Sequence, residues 1–349
     1  MRVLVVDDSI VFRTQISAAL NGVSGIEVVG TAPNGKIALQ KLEQLSVDLI
    51  TLDMEMPELN GLETLKIMRE KGFKTKVIFF SSLTVKGAEI TLQALRAGAD
   101  DFVTKPTNDV ASFEMAGQMI KEALVPKVLQ FGNIKIESSI TKPVIESPRI
   151  INTKKKLASA FPQAIVIASS TGGPSALEEI FKHLKGPFNK PVFIAQHMPA
   201  VFTEILAKRL SDICKAPVRE GKNGEVVEKG VVYIAPGDFH MLLEKKDNTV
   251  VISLNQNPQR NSVRPAADYL FESAADVYGK SLLGIVLTGM GEDGARGAKY
   301  LREKDGLVII QNKESCVVFG MPGAVFNNDD FDEIQDLQTI ANSMKSVIM

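Results

Sequence analysis

Short apolar runs that stop at a polar residue and give way to a helical pattern recur along this chain, and that rhythm restricts the fold more than any other feature. Residues 2–6 form such a run and end at Asp7 and Asp8. Ser9 is placed to cap a helix carrying Val11, Phe12, Ile16, Ala19 and Leu20 at near-helical spacing. A second run, 26–32, precedes a helical pattern over 35–45, and a third, 47–52, ends at Asp53. A turn follows at 56–61 and a helix at 62–70. The fourth run, 77–80, ends at Ser81 and Ser82 before a helix at 87–97, and the fifth, 102–104, ends at Lys105-Pro106. Five strand–helix alternations with short connections predict a parallel sheet covered on both faces.

The rhythm resumes after residue 161. Ile165-Val166-Ile167-Ala168 runs into Ser169-Ser170-Thr171, then Gly172-Gly173-Pro174 and a helical pattern over 175–184. The two glycines permit a sharp bend and leave N–H groups near the hydroxyls, and Pro174 suits a first helical turn. A serine at such a turn can be a nucleophile, a helix cap or part of a phosphate loop. Residues 191–195 form the next strand, ending in Gln196-His197-Met198-Pro199, with a helix at 201–210. Residues 218–254 alternate like paired strands, with turns at Asn223-Gly224, Pro236-Gly237 and Asp247-Asn248. Arg264-Pro265 opens a helix reaching about Tyr278, and 282–287 is a strongly apolar strand ending in Thr288-Gly289-Met290-Gly291-Glu292-Asp293-Gly294. A last strand, 306–311, precedes Ser315-Cys316-Val317-Val318-Phe319-Gly320-Met321-Pro322.

Between the two series the periodicity fades. Over 125–161 Pro126, Pro143 and Pro148 interrupt it, and Lys127, Lys135, Lys142, Arg149, Lys154, Lys155 and Lys156 outnumber Glu137 and Glu146. This stretch reads as a linker with solvated basic charge. The expected organisation is therefore one α/β domain over 1–122, a linker over 123–160 and a second α/β domain over 161–349. At 349 residues, 45% hydrophobic and 23% charged, both domains can bury a core. The formal net charge of −1 argues against nucleic acid or acidic membranes as partners of the whole chain. There is no apolar leader and no run long enough to span a bilayer. The only cysteines, Cys214 and Cys316, give neither a disulfide framework nor a metal cluster, so the cytoplasm is the expected compartment.

The polar residues at the strand ends carry the chemistry. In open α/β sheets that edge is where ligands bind. In the first half it collects Asp7, Asp8, Asp53, Ser81 and Lys105. Crowded carboxylates call for a cation, and hard oxygen ligands suit Mg2+. One carboxylate can then attack a phosphoryl group whose oxygens are met by metal, lysine and hydroxyl. In the second half three strand ends offer Ser170, His197 and Asp293. A serine, a histidine to take its proton and a carboxylate to orient the histidine are the set needed for acyl transfer. His240 is the second candidate base, His183 belongs near a helix end, and Cys316 reads as a small buried hydrophobe.

Two resemblances rest on these residues. Val5-Val6-Asp7-Asp8-Ser9, Leu52-Asp53-Met54-Glu55-Met56-Pro57 and Val103-Thr104-Lys105-Pro106 are similar to a response-regulator receiver domain, a flavodoxin-like fold with a five-stranded parallel sheet. That implies phosphorylation at Asp53, Mg2+ at Asp7, Asp8 and Asp53, a switch hydroxyl at Ser81, an aromatic switch at Phe102, a phosphoryl contact from Lys105 and a cis Lys105–Pro106 bond. Ser169-Ser170-Thr171-Gly172-Gly173, Gln196-His197-Met198-Pro199, Tyr233 to Asp238, Leu287 to Gly291 with Asp293-Gly294, and 315–322 resemble the catalytic domain of chemotaxis protein-glutamate methylesterases, the CheB family. The order of the two domains matches that family too.

The second resemblance implies Ser170 as nucleophile, His197 as base and Asp293 as orienting acid, with Thr171 beside them and the Met290 N–H in an oxyanion hole. It implies hydrolysis of glutamate γ-methyl esters on chemoreceptors, deamidation of receptor glutamines, a chemotaxis histidine kinase as phosphodonor, and no cofactor for the esterase. It also implies that the unphosphorylated receiver covers the esterase edge. Ser169 stands where this family usually has Ala, which sets a second serine beside Ser170. Asn261-Ser262-Val263-Arg264-Pro265 keeps the family's Asn, Arg and Pro but lacks intervening basic residues, with Arg264 the candidate substrate contact. A catalytically silent binding module, a DNA-binding regulator and a general esterase are the competing readings. Intact Ser170, His197 and Asp293 weigh against the first, and the absence of a basic recognition helix against the second.

Overall fold

The computed structural model describes residues 1–106, 113–132 and 161–349. The chain divides into two compact units, and the division falls between Pro143 and Val144, outside those residues.

The first unit is a five-stranded parallel sheet. Its strands are β1 (Arg2–Val6), β2 (Glu27–Ala32), β3 (Leu49–Asp53), β4 (Lys76–Ser81) and β5 (Asp101–Thr104), in the order β2-β1-β3-β4-β5. Val3, Val5, Leu49, Ile78 and Phe80 are fully buried, as an all-parallel sheet with helices on both faces requires. The helices are α1 (Ile10–Leu20), α2 (Gly35–Gln44), α3 (Gly61–Glu70), α4 (Val85–Arg96) and α5 (Phe113–Phe131). Ser9, Asn34, Asn60 and Thr84 cap the first four, each side-chain oxygen taking an orphan N–H of the first turn. Strands β1 to β4 therefore each end in a defined turn, which fixes what the last residue points at.

The fading periodicity after residue 125 misled in one respect. Helix α5 continues to Phe131 through Pro126, so the expected linker start at 123 lies inside it. A mid-helix proline costs about 3 kcal/mol. Past it the helix buries Val128 and Leu129, each contributing about 1.5–3 kcal/mol. Lys127 pairs with buried Asp101 at 2.5 Å rather than standing solvated. Pro143, Pro148 and the remaining basic residues, from Lys135 to Lys156, lie outside the described residues. The expected cis bond at Lys105–Pro106 is not found; the cis bonds among the described residues are Gly186–Pro187 and Arg264–Pro265. An X–Pro bond favours trans by about 0.5–1 kcal/mol unless a turn demands otherwise.

The second unit is a seven-stranded parallel sheet with a separate hairpin. Its strands in chain order are β6 (Ala164–Ser169), β7 (Val192–Gln196), β8 (Val218–Glu220), β9 (Val232–Ile234), β12 (Leu282–Val286), β13 (Leu307–Gln311) and β14 (Glu333–Gln335). Across the sheet they run β14-β13-β12-β6-β7-β9-β8. The hairpin joins β10 (His240–Lys246) to β11 (Thr249–Asn255), turning at Asp247-Asn248 as the sequence indicates. The expected pairing over 218–254 is only half of this kind, because β8 and β9 run parallel and extend the main sheet. The helices are α6 (Gly173–Lys182), α7 (Phe202–Cys214), α8 (Ala267–Tyr278), α9 (Ala295–Glu303), α10 (Met321–Asn327) and α11 (Leu337–Ile348). Val166, Ala168, Phe193, Phe271 and Leu301 share one core between the sheet and α8–α9. Strand β6 is central, with β7 on one side and β12 on the other. Chain direction across the sheet reverses there, which opens a crevice at the carboxyl edge.

Candidate active site

The three strands around that crevice are those that carry the expected triad. Ser170 follows β6, His197 follows β7, and Asp293 stands between β12 and α9. Backbone bonds set the neighbours in register: His197 N–H donates to Ser169 O (3.0 Å) and Ser170 N–H to Thr288 O (3.1 Å). Gly172 takes a left-handed φ of 77° at the start of α6, and Gly173 N–H donates to Ser170 O at 2.7 Å. That N–H therefore closes the turn and is not the free donor the glycine pair suggested. Gly289 passes so close that a Cβ there would lie 2.8 Å from Ser170 Cβ, so only glycine fits.

His197 Nε2 lies 2.8 Å from Asp293 Oδ2. Asp293 is almost fully buried and accepts three further bonds: Ala267 N–H on Oδ2 (2.6 Å), and Asn261 Nδ2 (2.9 Å) and Asp268 N–H (3.2 Å) on Oδ1. Helix α8 has no side-chain cap of its own, so Asp293 satisfies its first N–H groups. Burial pushes the Asp293 carboxyl up, but the bond and charge of His197, with Ala267 N–H and Asn261, outweigh it and hold the group below its usual range. Among the described residues no hydrogen bond joins Ser170 Oγ to His197. The Met290 N–H likewise has no hydrogen bond among the described residues. Thr171 is buried next to Ser170, and its carbonyl receives the Thr288 hydroxyl at 3.0 Å.

The competing residues have other occupations. Ser169 is fully buried and donates to Gln196 Oε1 at 2.7 Å, while Gln196 Nε2 donates to Ser170 O at 3.0 Å. Ser169 thus braces the turn from behind. Buried His240 has both ring nitrogens engaged, with Pro258 O (3.2 Å) and Ala266 N–H (3.1 Å), and burial lowers its pKa. His183 caps the end of α6 and faces Glu179 at 3.4 Å. Burial pushes the Cys316 thiol up to about 12, which leaves no thiolate near neutrality. Arg264 bonds Asp238 Oδ1 twice (2.6 and 2.9 Å) and the carbonyls of Gln256 and Asn257. Most of its donors hold a loop, so the structure gives it an anchoring part instead of the free fork a substrate contact needs.

Sequence reading quoted Gln196, Asn261 and Thr288 inside its motifs without giving them a part in the site, and it passed over Asp268. Motif membership was a usable signal for the first three. Asp268 had none, because an Asp in a helical first turn is ordinary.

In the first unit four of the five polar strand ends, Asp7, Asp8, Asp53 and Lys105, also meet. Asp7, Asp8 and Asp53 each offer a carboxylate oxygen within 4.8 Å of the others. Lys105 Nζ reaches Asp7 Oδ2 (2.9 Å) and Asp53 Oδ1 (2.8 Å) and lies over the Phe12 ring at 4.8 Å. Apart from that ion pair, Asp7 Oδ2 is buried with no hydrogen-bond partner, and the hard oxygens around it suit a divalent cation. Burial raises the Asp53 carboxyl to about 6; Lys105 opposes the rise and Asp7 adds to it. Ser81 Oγ sits 2.7 Å from Thr91 Oγ1 on α4, and Phe102 is buried. A cleft of about 580 Å³ opens here, walled by Asp8, Met54, Met56, Asn60 and Lys86.

With both geometries in view, family models match the chain twice: "Response regulator receiver domain" over residues 3–115 and "CheB methylesterase" over 165–344. The chain belongs to the CheB methylesterase family. A protein-glutamate methylesterase/protein-glutamine glutaminase of Trichodesmium erythraeum is 43% identical over 98% of this chain and 97% of its own length. One of Thermotoga maritima is 40% identical over 96% and 94%. The crystal structure of the Thermotoga maritima CheB methylesterase catalytic domain matches with a TM-score of 0.52 and 40% identity, covering 53% of this chain and 98% of that one. Both CheB-family relatives extend across the receiver and the second unit. Among the described residues no helix is long and apolar enough to cross a membrane.

Proposed function

We propose that the chain is a phosphorylation-activated protein-glutamate methylesterase that acts on chemoreceptors in the cytoplasm. Ser170 Oγ attacks the γ-carbonyl carbon of a glutamate methyl ester. His197 bonds Asp293 through Nε2, so Nδ1 is the nitrogen left to take the serine proton. The new C–O bond places negative charge on the carbonyl oxygen, where the Met290 N–H donates. Collapse breaks the C–OCH3 bond, and methanol leaves with the proton held on His197. Water, deprotonated by His197, then attacks the acyl-enzyme and releases glutamate and Ser170. A receptor glutamine follows the same route with ammonia as leaving group. Asp293 keeps the ring oriented and stabilises its charged form, which its own depressed pKa permits. The observation that carries this reading is the Asp293–His197 bond at the strand end beside Ser170.

Control lies in the receiver. Asp53 is the phosphoryl acceptor, and without a cation burial raises its carboxyl to about 6. Asp7, Asp8 and Asp53 would hold Mg2+, which supplies charge neutralisation for the phosphoryl oxygens. Lys105 meets the same oxygens. Ser81 leaves Thr91 to reach the phosphoryl group, and Phe102 repacks in step. The phosphodonor is a chemotaxis histidine kinase. A serine-directed phosphonate followed by peptide mass spectrometry tests the nucleophile. Labelling of Ser170 that survives Ser169→Ala and disappears in Ser170→Ala is expected. Labelling elsewhere, or none in folded protein, would remove Ser170 from the mechanism.

A further inference from the structure

The loop before α8 does something the strand-end triad does not require. Arg260 and Val263 exchange backbone bonds (3.1 and 3.3 Å) around Asn261 and Ser262, both left-handed with φ of 54° and 61°. Two positive φ values in that position define a type I′ turn, which asparagine tolerates and most residues resist. The turn is exposed, yet the Asn261 amide reaches inward. Its Nδ2 lies 3.0 Å from Asp268 Oδ2 and 2.9 Å from Asp293 Oδ1. An amide nitrogen carries two hydrogens, and each carboxylate takes one. The reverse orientation would set an oxygen against both anions, so chemistry fixes which way the amide faces.

Asp268 completes the arrangement. Its Oδ1 accepts the N–H groups of Gly294 (3.0 Å) and Gly297 (2.7 Å) at the start of α9, while its own N–H donates to Asp293 Oδ1. The acid before α9 thus caps α8, and the acid in α8 caps α9. Neither helix has a side-chain cap within its own segment. Charge is shared out nearby: Arg260 Nε is 3.4 Å from Asp268 Oδ2, and its other nitrogens bond Glu272.

Resting on the triad reading above, we propose that Asn261 and Asp268 are positioning residues that lock the Asp293 carboxylate, ionised and with Oδ2 aimed at His197. The repulsion between the two acids shows where it falls. Burial and then the Asp293 charge raise the Asp268 carboxyl, whereas Asp293 stays low with Asn261 among its stabilisers. A free carboxylate rotor would present either oxygen to the ring. Here Asn261 and Asp268 N–H occupy Oδ1, leaving Oδ2 for His197 and Ala267.

The test uses two substitutions that both accept the left-handed turn. Asn261→Gly removes the donors. Asn261→Asp keeps the size and turns acceptors towards two anions. If Asn261 only shaped the loop, the isosteric Asp would be the milder change. The positioning role predicts the reverse order: kcat for methanol release from methylated receptor membranes falls about 10-fold in Asn261→Gly and on the order of 100-fold in Asn261→Asp. KM stays within about 2-fold of wild type, as expected when the loss falls on the chemical step and Asn261 makes no contact that holds the substrate. Wild-type kcat in Asn261→Asp, a milder effect than in Asn261→Gly, or a loss carried by KM would overturn the proposal. Ser170→Ala, run alongside, separates the levels. If it is inactive while Asn261→Asp is unimpaired, only the positioning role fails. If Ser170→Ala is itself active, the triad reading falls and this inference falls with it.

Discussion

Asp53 and Asp293 occupy the same kind of place, the carboxyl edge of a parallel sheet, and their surroundings drive them in opposite directions. Around Asp53 stand two more carboxylates and one lysine, beside an open cleft. Around Asp293 stand two helix N–H groups, an amide and an imidazole. Both are buried. Burial with a neighbouring anion lifts Asp53 to about 6, while burial among donors leaves Asp293 below its ordinary value. The same side chain is thereby a basic acceptor with spare lone pairs in one unit and a saturated fixed anion in the other. Burial alone decides neither role; the number of donors that comes with it does.

The sharpest way to break this contrast is to neutralise each acid. Asp293→Asn should lower esterase kcat by 10³–10⁴-fold, on the order seen when a triad acid loses its charge, and Ser170→Ala by at least as much. Ser169→Ala should retain near-wild-type turnover and lose about 1 kcal/mol of stability with its buried bond to Gln196. Steady-state kinetics and thermal melting check all three. Asp53→Asn should abolish stimulation by a phosphodonor and leave basal turnover unchanged.

Stability in pH series sharpens the comparison further. The folded Asp53 pKa is raised above its unfolded value of 3.8, so its contribution is fully present below about pH 4 and lost as pH rises through about 6. Without divalent metal, Asp53→Asn should therefore stabilise the first unit by on the order of 1–3 kcal/mol at pH 7, and by little at pH 4. Denaturant melts at the two pH values measure this. Lys127→Ala tests the far end of α5: leaving buried Asp101 without the lysine should cost about 1–3 kcal/mol. Arg264→Ala should cost about 1 kcal/mol of stability with KM within about 2-fold, because Asp238 and two carbonyls already hold the guanidinium.

Much of this was legible in the sequence because strand-end chemistry is local. A strand that stops at Asp53 or Ser170 shows its period and its terminal residue in one reading frame, and the sheet order then brings the ends together. The residues that tune those ends were not legible. Asn261 and Asp268 meet Asp293 only because α8 and α9 pack together, although they lie 32 and 25 positions from it in the chain. Pro126 pointed to a helix end, and the local rule lost to burial of Val128 and Leu129 against the receiver core. The parallel course of β8 and β9 was hidden for a similar reason. Alternation reports that a strand is half-buried, not which direction its neighbour runs.

The central claim is that one chain joins a phosphoryl-accepting edge to an ester-hydrolysing edge. The most direct measurement is methanol release from methylated chemoreceptor membranes by wild type, Ser170→Ala and Asp53→Asn, each with and without a small-molecule phosphodonor and Mg2+. Release that rises with the donor in wild type, stays at its basal level in Asp53→Asn and vanishes in Ser170→Ala is the predicted result. Release that ignores the donor in wild type, or that persists in Ser170→Ala, would contradict it.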